Sequence, residues 1–118
     1  MPLFRKKKRT PAPSDEHVVI THLPLSDDEH GTADEREAIF AIEDRLTEAA
    51  AALGGEHDGN EFGGGEAILY TYGPDADALM EAVRTSLGTF PLRPGAYAIK
   101  RYGRADDPTA REERVPLS

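Results

Sequence analysis

The run His17-Val-Val-Ile-Thr-His-Leu23 is rich in β-branched residues and ends at Pro24, which predicts a first strand. Thr32-Ala-Asp-Glu35 has the form of a capping box, with a threonine oxygen and a glutamate three residues on to satisfy exposed backbone N–H groups. After it, Ile39, Ile42, Leu46, Ala49 and Leu53 recur at spacings of three and four, one apolar stripe of a helix that Gly54-Gly55 stops. Glu56 to Phe62 reads as a polar second strand, Gly63-Gly64-Gly65 as a turn, and Ala67-Ile-Leu-Tyr-Thr-Tyr72 as a stronger third strand. Gly73-Pro74-Asp75 opens a second helix with the stripe Ala76, Leu79, Met80, Val83 and Leu87. Ala96-Tyr-Ala-Ile-Lys-Arg-Tyr102 supplies a last strand.

This order, β-α-β-β-α-β, predicts an α+β fold, a ferredoxin-like two-layer sandwich. Two right-handed crossovers place both helices on one face of an antiparallel sheet ordered 4-1-3-2. The domain is expected over 17–104, with a flexible basic arm at 1–16 and a C-terminal tail at 105–118 that Val115 and Leu117 could dock. The second strand is placed at an edge, where its charges and glycines discourage pairing with another chain. Apolar residues occur on both faces of the strands. Val19 and Leu23 oppose Val18 and Ile20, Ala67 and Leu69 oppose Ile68, Tyr70 and Tyr72, and Tyr97 and Ile99 share a side. A sheet face that is apolar and uncovered by helices is a binding surface.

Charge sharpens this picture. The total is −8, yet Arg5, Lys6, Lys7, Lys8 and Arg9 form a basic block, able to touch an anionic membrane or nucleic acid weakly, or to serve only as a solubilising leader. From Asp15 to Glu81 there are 18 acidic residues against Arg36 and Arg45 alone, and from Val83 to Arg104 only basic ones. So acidic a middle repels a phosphate backbone. The RNA recognition motif, which shares the topology, stacks bases on aromatics of its first and third strands. Here Val19 stands at the first such place, and Glu66 and Ala67 replace the third strand's basic-glycine-aromatic opening, so no sequence-specific nucleic acid is expected. There is no cysteine, which removes thiolate chemistry and suits a cytoplasmic setting. No apolar run approaches the ~20 residues that span a bilayer.

Two polar clusters are candidates for chemistry. In Gly54–Glu66, His57 could act as base or ligand with Asp58, Asn60, Glu61 and Glu66, near Tyr70 and Tyr72. A regular strand puts His57, Gly59 and Glu61 on one face and Asp58 and Asn60 on the other. His57 and Glu61 are then roughly 13 Å apart at the backbone, too far to share an ion unless Gly59 bends the strand. The plainer reading is an edge hairpin in which Asp58 and Asn60 serve local backbone groups. His22, Asp27, Asp28, Glu29 and His30 form the second cluster, read foremost as an acidic loop before a helix N-terminus. Gly63–Gly65 lacks the Lys-Ser/Thr of a phosphate loop, the acids lack calcium-hand spacing, and no metal or cofactor is expected. Ser26, Thr71 and Ser86 have no surrounding pattern of a nucleophile.

The strings Asp58-Gly-Asn-Glu61, Gly63-Gly-Gly-Glu66 and Leu69-Tyr-Thr-Tyr-Gly-Pro-Asp-Ala-Asp-Ala-Leu79 resemble those of small bacterial proteins of unknown function, a resemblance that implies no activity. The leading expectation is a non-enzymatic interaction or regulatory domain that forms a homodimer or binds a partner protein, for example as an immunity-type inhibitor. The alternative is a small enzyme or ligand-binding protein with its site at the 56–72 hairpin.

Overall fold

The computed structural model describes residues 3–4 and 16–118. The elements are β1 (Leu3–Phe4), β2 (His17–Pro24), α1 (Ala33–Ala52), β3 (Glu56–Gly63), β4 (Glu66–Gly73), α2 (Ala76–Leu87), β5 (Tyr97–Arg101) and β6 (Glu112–Pro116). The basic block 5–9 lies outside the described residues.

Each helix has the ends its sequence encodes. Thr32 caps α1, with its side chain accepting from the Glu35 N–H while the Glu35 carboxylate accepts from the Thr32 N–H. A Schellman closure ends the helix, the N–H of Gly55 bonding the Ala50 carbonyl at 2.8 Å and that of Gly54 the Ala51 carbonyl at 3.0 Å. Asp75 caps α2 by accepting from Asp77 and Ala78. The stripe of α2 is buried as expected, and Ser86 joins it. On α1 the buried set is Ile39, Ile42, Glu43, Leu46 and Ala50, so the expected stripe is corrected at its end: Leu53 is exposed and Ala50 replaces it. The helix ends before it: Ala52 is the last residue of α1, and Leu53 is the C-cap with φ −95° and ψ 7°, off the helical path that carries the stripe.

All strand pairs are antiparallel, and the order across the sheet is β1-β3-β4-β2-β5-β6. The expected four-stranded sheet ordered 4-1-3-2 is thereby corrected, because strands are added at both edges. The two-residue β1 pairs with β3, so β3 is not the outermost strand. On the other side β6 pairs with β5, and what read as a tail is a full edge strand. Its polar Arg-Glu-Glu-Arg string is held by cross-strand charge, Glu112 opposite Arg101 and Glu113 opposite Lys100. Val115 and Leu117 pack against the core beside it.

The helices α1 and α2 link strands that are parallel and next but one to each other. Both therefore lie on one face, over a core of Val19, Leu23, Phe62, Ala67, Leu69 and Ala98 from the sheet and Ile39, Ile42, Leu46, Leu79, Met80 and Val83 from the helices. Arg45 ties the helices together by donating from Nε and Nη2 to the Ser86 carbonyl, at 3.0 and 2.7 Å. Among the described residues no helix is long and apolar enough to cross a membrane.

Candidate functional site

The hairpin β3–β4 turns through Gly64-Gly65, whose φ values of +61° and +83° match the two left-handed positions of a type I′ turn. Further along β3 the register breaks. His57 stands opposite Thr71 and Gly59 opposite Tyr70, leaving Asp58 as an extra residue, a β-bulge that Gly59 permits with φ +126°. The expected faces are corrected accordingly. His57 and Asn60 both point to the helix layer, while Glu61 points to the opposite face beside Tyr70.

On the helix side these two side chains meet Glu43 of α1. Its Oε1 lies 2.6 Å from Nε2 of His57 and its Oε2 accepts from Nδ2 of Asn60 at 2.6 Å. Nδ1 of His57 lies 3.2 Å from the Thr71 hydroxyl. All four residues are buried. A carboxylate only accepts, so Nε2 carries the proton and Nδ1 can take a hydrogen bond from Thr71. Carboxylate, imidazole and hydroxyl in a row have the order of a hydrolase relay. Here, however, Thr71 sits mid-strand at 0 % exposure, where its oxygen meets no substrate. The row works as a buried polar tie between helix and sheet. Asn60 thus serves a side chain of α1, not the local backbone of an edge turn. Beside the tie is a cavity of about 230 Å³ with Phe40, Glu43, Asp44, His57, Asp58 and Asn60 among its walls.

The remaining candidates stand on the other face. Tyr70 donates to Oε1 of Glu61 at 2.5 Å. Burial, reinforced by that carboxylate, pushes the Tyr70 phenol well above its usual range, so it stays a protonated donor. Glu66 lies 3.2 Å from Nδ1 of His22, and Tyr72 is buried. The seven hairpin candidates are therefore divided by the sheet: His57, Asp58 and Asn60 line the α1 cavity, and Glu61, Glu66, Tyr70 and Tyr72 belong to the far face.

The second polar cluster converges only in part. His22 leaves on β2. Asp27 closes the loop, accepting through Oδ1 from the N–H groups of Glu29 and Gly31, which hold its carboxyl below the ordinary value. Arg36 donates to the carbonyls of Gly31 and His30. Asp28, Glu29 and His30 line a cavity of about 360 Å³ with Glu61 and the turn glycines. Among the described residues no three histidine or acidic side chains are placed to hold a metal ion.

The far face has a row structure. Across it run Glu61, Ile68, His22 and Tyr97; then Gly59, Tyr70, Ile20, Ile99 and Arg114; then Glu56, Tyr72, Val18, Arg101 and Glu112. Val18 and Tyr72 are buried, whereas Ile20, Ile68, Tyr70, Tyr97 and Ile99 are half-buried. The His22 and Tyr97 rings stack at 4.4 Å with 8° between their planes, and the Arg114 guanidinium lies 3.7 Å from the Tyr97 centroid.

Two residues central to these sites were not singled out from the sequence. Glu43 had a signal, since it interrupts the apolar stripe between Ile42 and Leu46 where a charge has no reason to stand without a partner. Arg114 had none, because only the pairing of β6 brings it to the sheet face.

These features define a class: an antiparallel α+β sandwich, helices on one side, with an internal polar tie and one helix-free sheet face. Compared with family models, curated proteins and solved structures, the chain matches none of them.

Proposed function

We propose that this chain is a non-enzymatic bacterial domain of ferredoxin-like topology that works by pairing with a second copy of itself across the helix-free sheet face. The observation that carries the reading is the order of chemistry along the rows: Glu56 and Glu61 on β3, isoleucines and tyrosines in the centre, and on the β5–β6 side Arg114 with no acid opposite it and Arg101 paired with Glu112. A two-fold axis parallel to the strands lays one copy's β3 over its partner's β6. Glu61 then approaches the Arg114 side of the partner, and the central isoleucines meet each other. Such an isologous contact is self-complementary in both charge and apolarity, which a face evolved for a single foreign partner need not be. The relay of Glu43, His57 and Thr71 supports the non-enzymatic side of the reading, since its hydroxyl is sealed in the core.

Light scattering on the eluting full-length chain tests this. A dissociation constant of ~10 μM, about 7 kcal/mol, gives mostly dimer at ~100 μM. Ile20→Lys, which places a charge at the centre of the face, returns the chain to monomer with its helical signal unchanged. A wild-type chain still monomeric at ~1 mM overturns the reading in favour of a different partner or of none.

A further inference from the structure

We infer that His22 of two paired copies forms an interfacial site for one divalent transition-metal ion such as zinc. The inference rests on the two-fold pairing proposed above and adds to it a ligand at the axis. With β3 laid over the partner's β6, the strand order puts β4 over the partner's β5 and β2 over the partner's β2, so the axis runs along β2. Each β2 residue of the helix-free face then meets its own copy. In the row of Glu61, Ile68, His22 and Tyr97, the residue on the axis is His22. The site needs both copies, because among the described residues of one chain no three histidine or acidic side chains are placed to hold an ion.

The single chain already holds His22 as a metal ligand is held. Its ring stacks on Tyr97 of the neighbouring strand, with 4.4 Å between centroids and 8° between planes. That separation is close to the ~4.8 Å between adjacent strands, so the two rings stand side by side, upright on the sheet. Nδ1 of His22 lies 3.2 Å from Oε1 of Glu66. An ionised carboxylate only accepts, so Nδ1 carries the proton and Nε2, at the outer end of the ring, keeps its lone pair. A carboxylate behind one ring nitrogen is the usual support of a histidine that binds metal through the other. Among the described residues no hydrogen bond engages Nε2, and the side chain keeps 17 % of its surface open. Pairing brings two such lone pairs toward each other across the axis, because aligned sheets pack about 10 Å apart. Two bare acceptors face to face repel, and an ion with Zn–N bonds of about 2.0–2.1 Å joins them, water completing its shell. Imidazole selects zinc and its neighbours over calcium or magnesium, which take oxygen. The Glu66 carboxylates offset part of the charge, and the Tyr97 ring stands between His22 and the Arg114 guanidinium.

Light scattering on the full-length chain, stripped with EDTA and then titrated with zinc chloride, tests the site, with calcium chloride as the control. Free zinc at ~100 μM should tighten pairing by about tenfold, at one ion per dimer, while calcium leaves it unchanged. The readout is the ratio of affinities with and without zinc, so it holds whatever a variant does to pairing itself. In His22→Gln that ratio should fall to one. Glu66→Gln, which removes the charge behind Nδ1, should weaken zinc binding by about tenfold. A parent that pairs in EDTA and gains nothing from zinc overturns the inference and leaves the proposed pairing standing. Zinc-driven tightening that His22→Gln retains overturns it as well. A parent monomeric at ~1 mM both in EDTA and in zinc overturns the inference and the pairing together.

Discussion

Oε1 of Glu43, halfway along α1, lies 2.6 Å from Nε2 of His57 on β3, and the same carboxylate holds Asn60 by its other oxygen. One side chain thus closes the helix layer onto the bulged strand. Removing it leaves two buried donors without an acceptor. Glu43→Ala should therefore destabilise the fold by about 3 kcal/mol, the range seen when one partner of a buried pair is deleted. Urea unfolding measures this. In a double-mutant cycle, Glu43→Leu combined with His57→Phe should be less destabilising than the sum of the two single changes by at least ~1 kcal/mol. Strict additivity would mean that the contact carries no net coupling.

Gly59 holds the bulge at φ +126°. Gly59→Ala forces a Cβ into a backbone region that favours glycine, at a cost of about 1–3 kcal/mol. The Asn60 side-chain signals should shift as well, because restoring regular alternation would turn that residue away from Glu43. A variant as stable as the parent, with Asn60 unmoved, would show that the strand tolerates the bulge without glycine.

Glu35 joins the Ser26 loop to the start of α1, accepting from the Ser26 N–H at 3.0 Å and the Thr32 N–H at 3.0 Å, with Arg93 3.6 Å away. Burial alone would raise its pKa. The Ser26 hydroxyl and the Thr32 and Ser26 N–H groups outweigh that and hold the carboxyl below its ordinary 4.5. A depressed folded value means the stabilisation is complete above pH 4.5 and fades as pH falls through the lower folded value. Glu35→Gln should cost about 1 kcal/mol at neutral pH and flatten the acid limb of the stability curve. Chemical denaturation at a series of pH values checks both, and parallel curves for parent and variant would refute the assignment.

The charge order on the helix-free face predicts a rescue. Arg114→Glu and Glu61→Arg should each weaken self-association by about tenfold, while an equimolar mixture of the two variants should form a heterodimer more readily than either forms a homodimer. Native mass spectrometry of the mixture reads this directly. Association of the parent should also weaken as salt is raised. A mixture that assembles no better than its components would remove the two-fold arrangement.

Deleting residues 112–118 removes β6, takes Val115 and Leu117 off the core, and bares the edge of β5. The expected loss is about 2–4 kcal/mol in urea unfolding, one half-buried aliphatic side chain after another. The truncated chain should also aggregate more readily at its newly exposed edge.

Local chemistry was legible from the residues alone. The Thr32–Glu35 box, the Gly54-Gly55 stop and the α2 stripe act within a few residues of themselves, so the sequence predicts them as the structure has them, and the turn it put at Gly63–Gly65 has Gly64 and Gly65 at its centre. The alternation within β2, β4 and β5 likewise separated Val19 from Ile20 and Leu69 from Tyr70 and kept Tyr97 with Ile99, because a strand's side-chain period depends on nothing beyond the strand; which of these share a face across strands came from the register.

The candidate site was legible in its membership but not in its geometry. His57, Asp58 and Asn60 stood out by residue type, yet regular alternation put His57 and Asn60 on opposite faces. Only the register of β3 against β4 reveals the bulge, since that register is a relation between two strands. Glu43 reached the site through the docking of α1, and Arg114 reached the far face through the pairing of β6 with β5.

By itself, then, the sequence determined where this chain makes helices and strands, how they end, and which residue types the hairpin offers for chemistry. The tertiary structure alone decided that the hairpin's polar residues divide across the sheet, that a glutamate in a helical stripe is their partner, and that an apparent tail is a strand. The physical reason is range: caps, turns and side-chain periods are settled within one element, whereas register, burial of charge and edge pairing are settled between elements far apart in the chain.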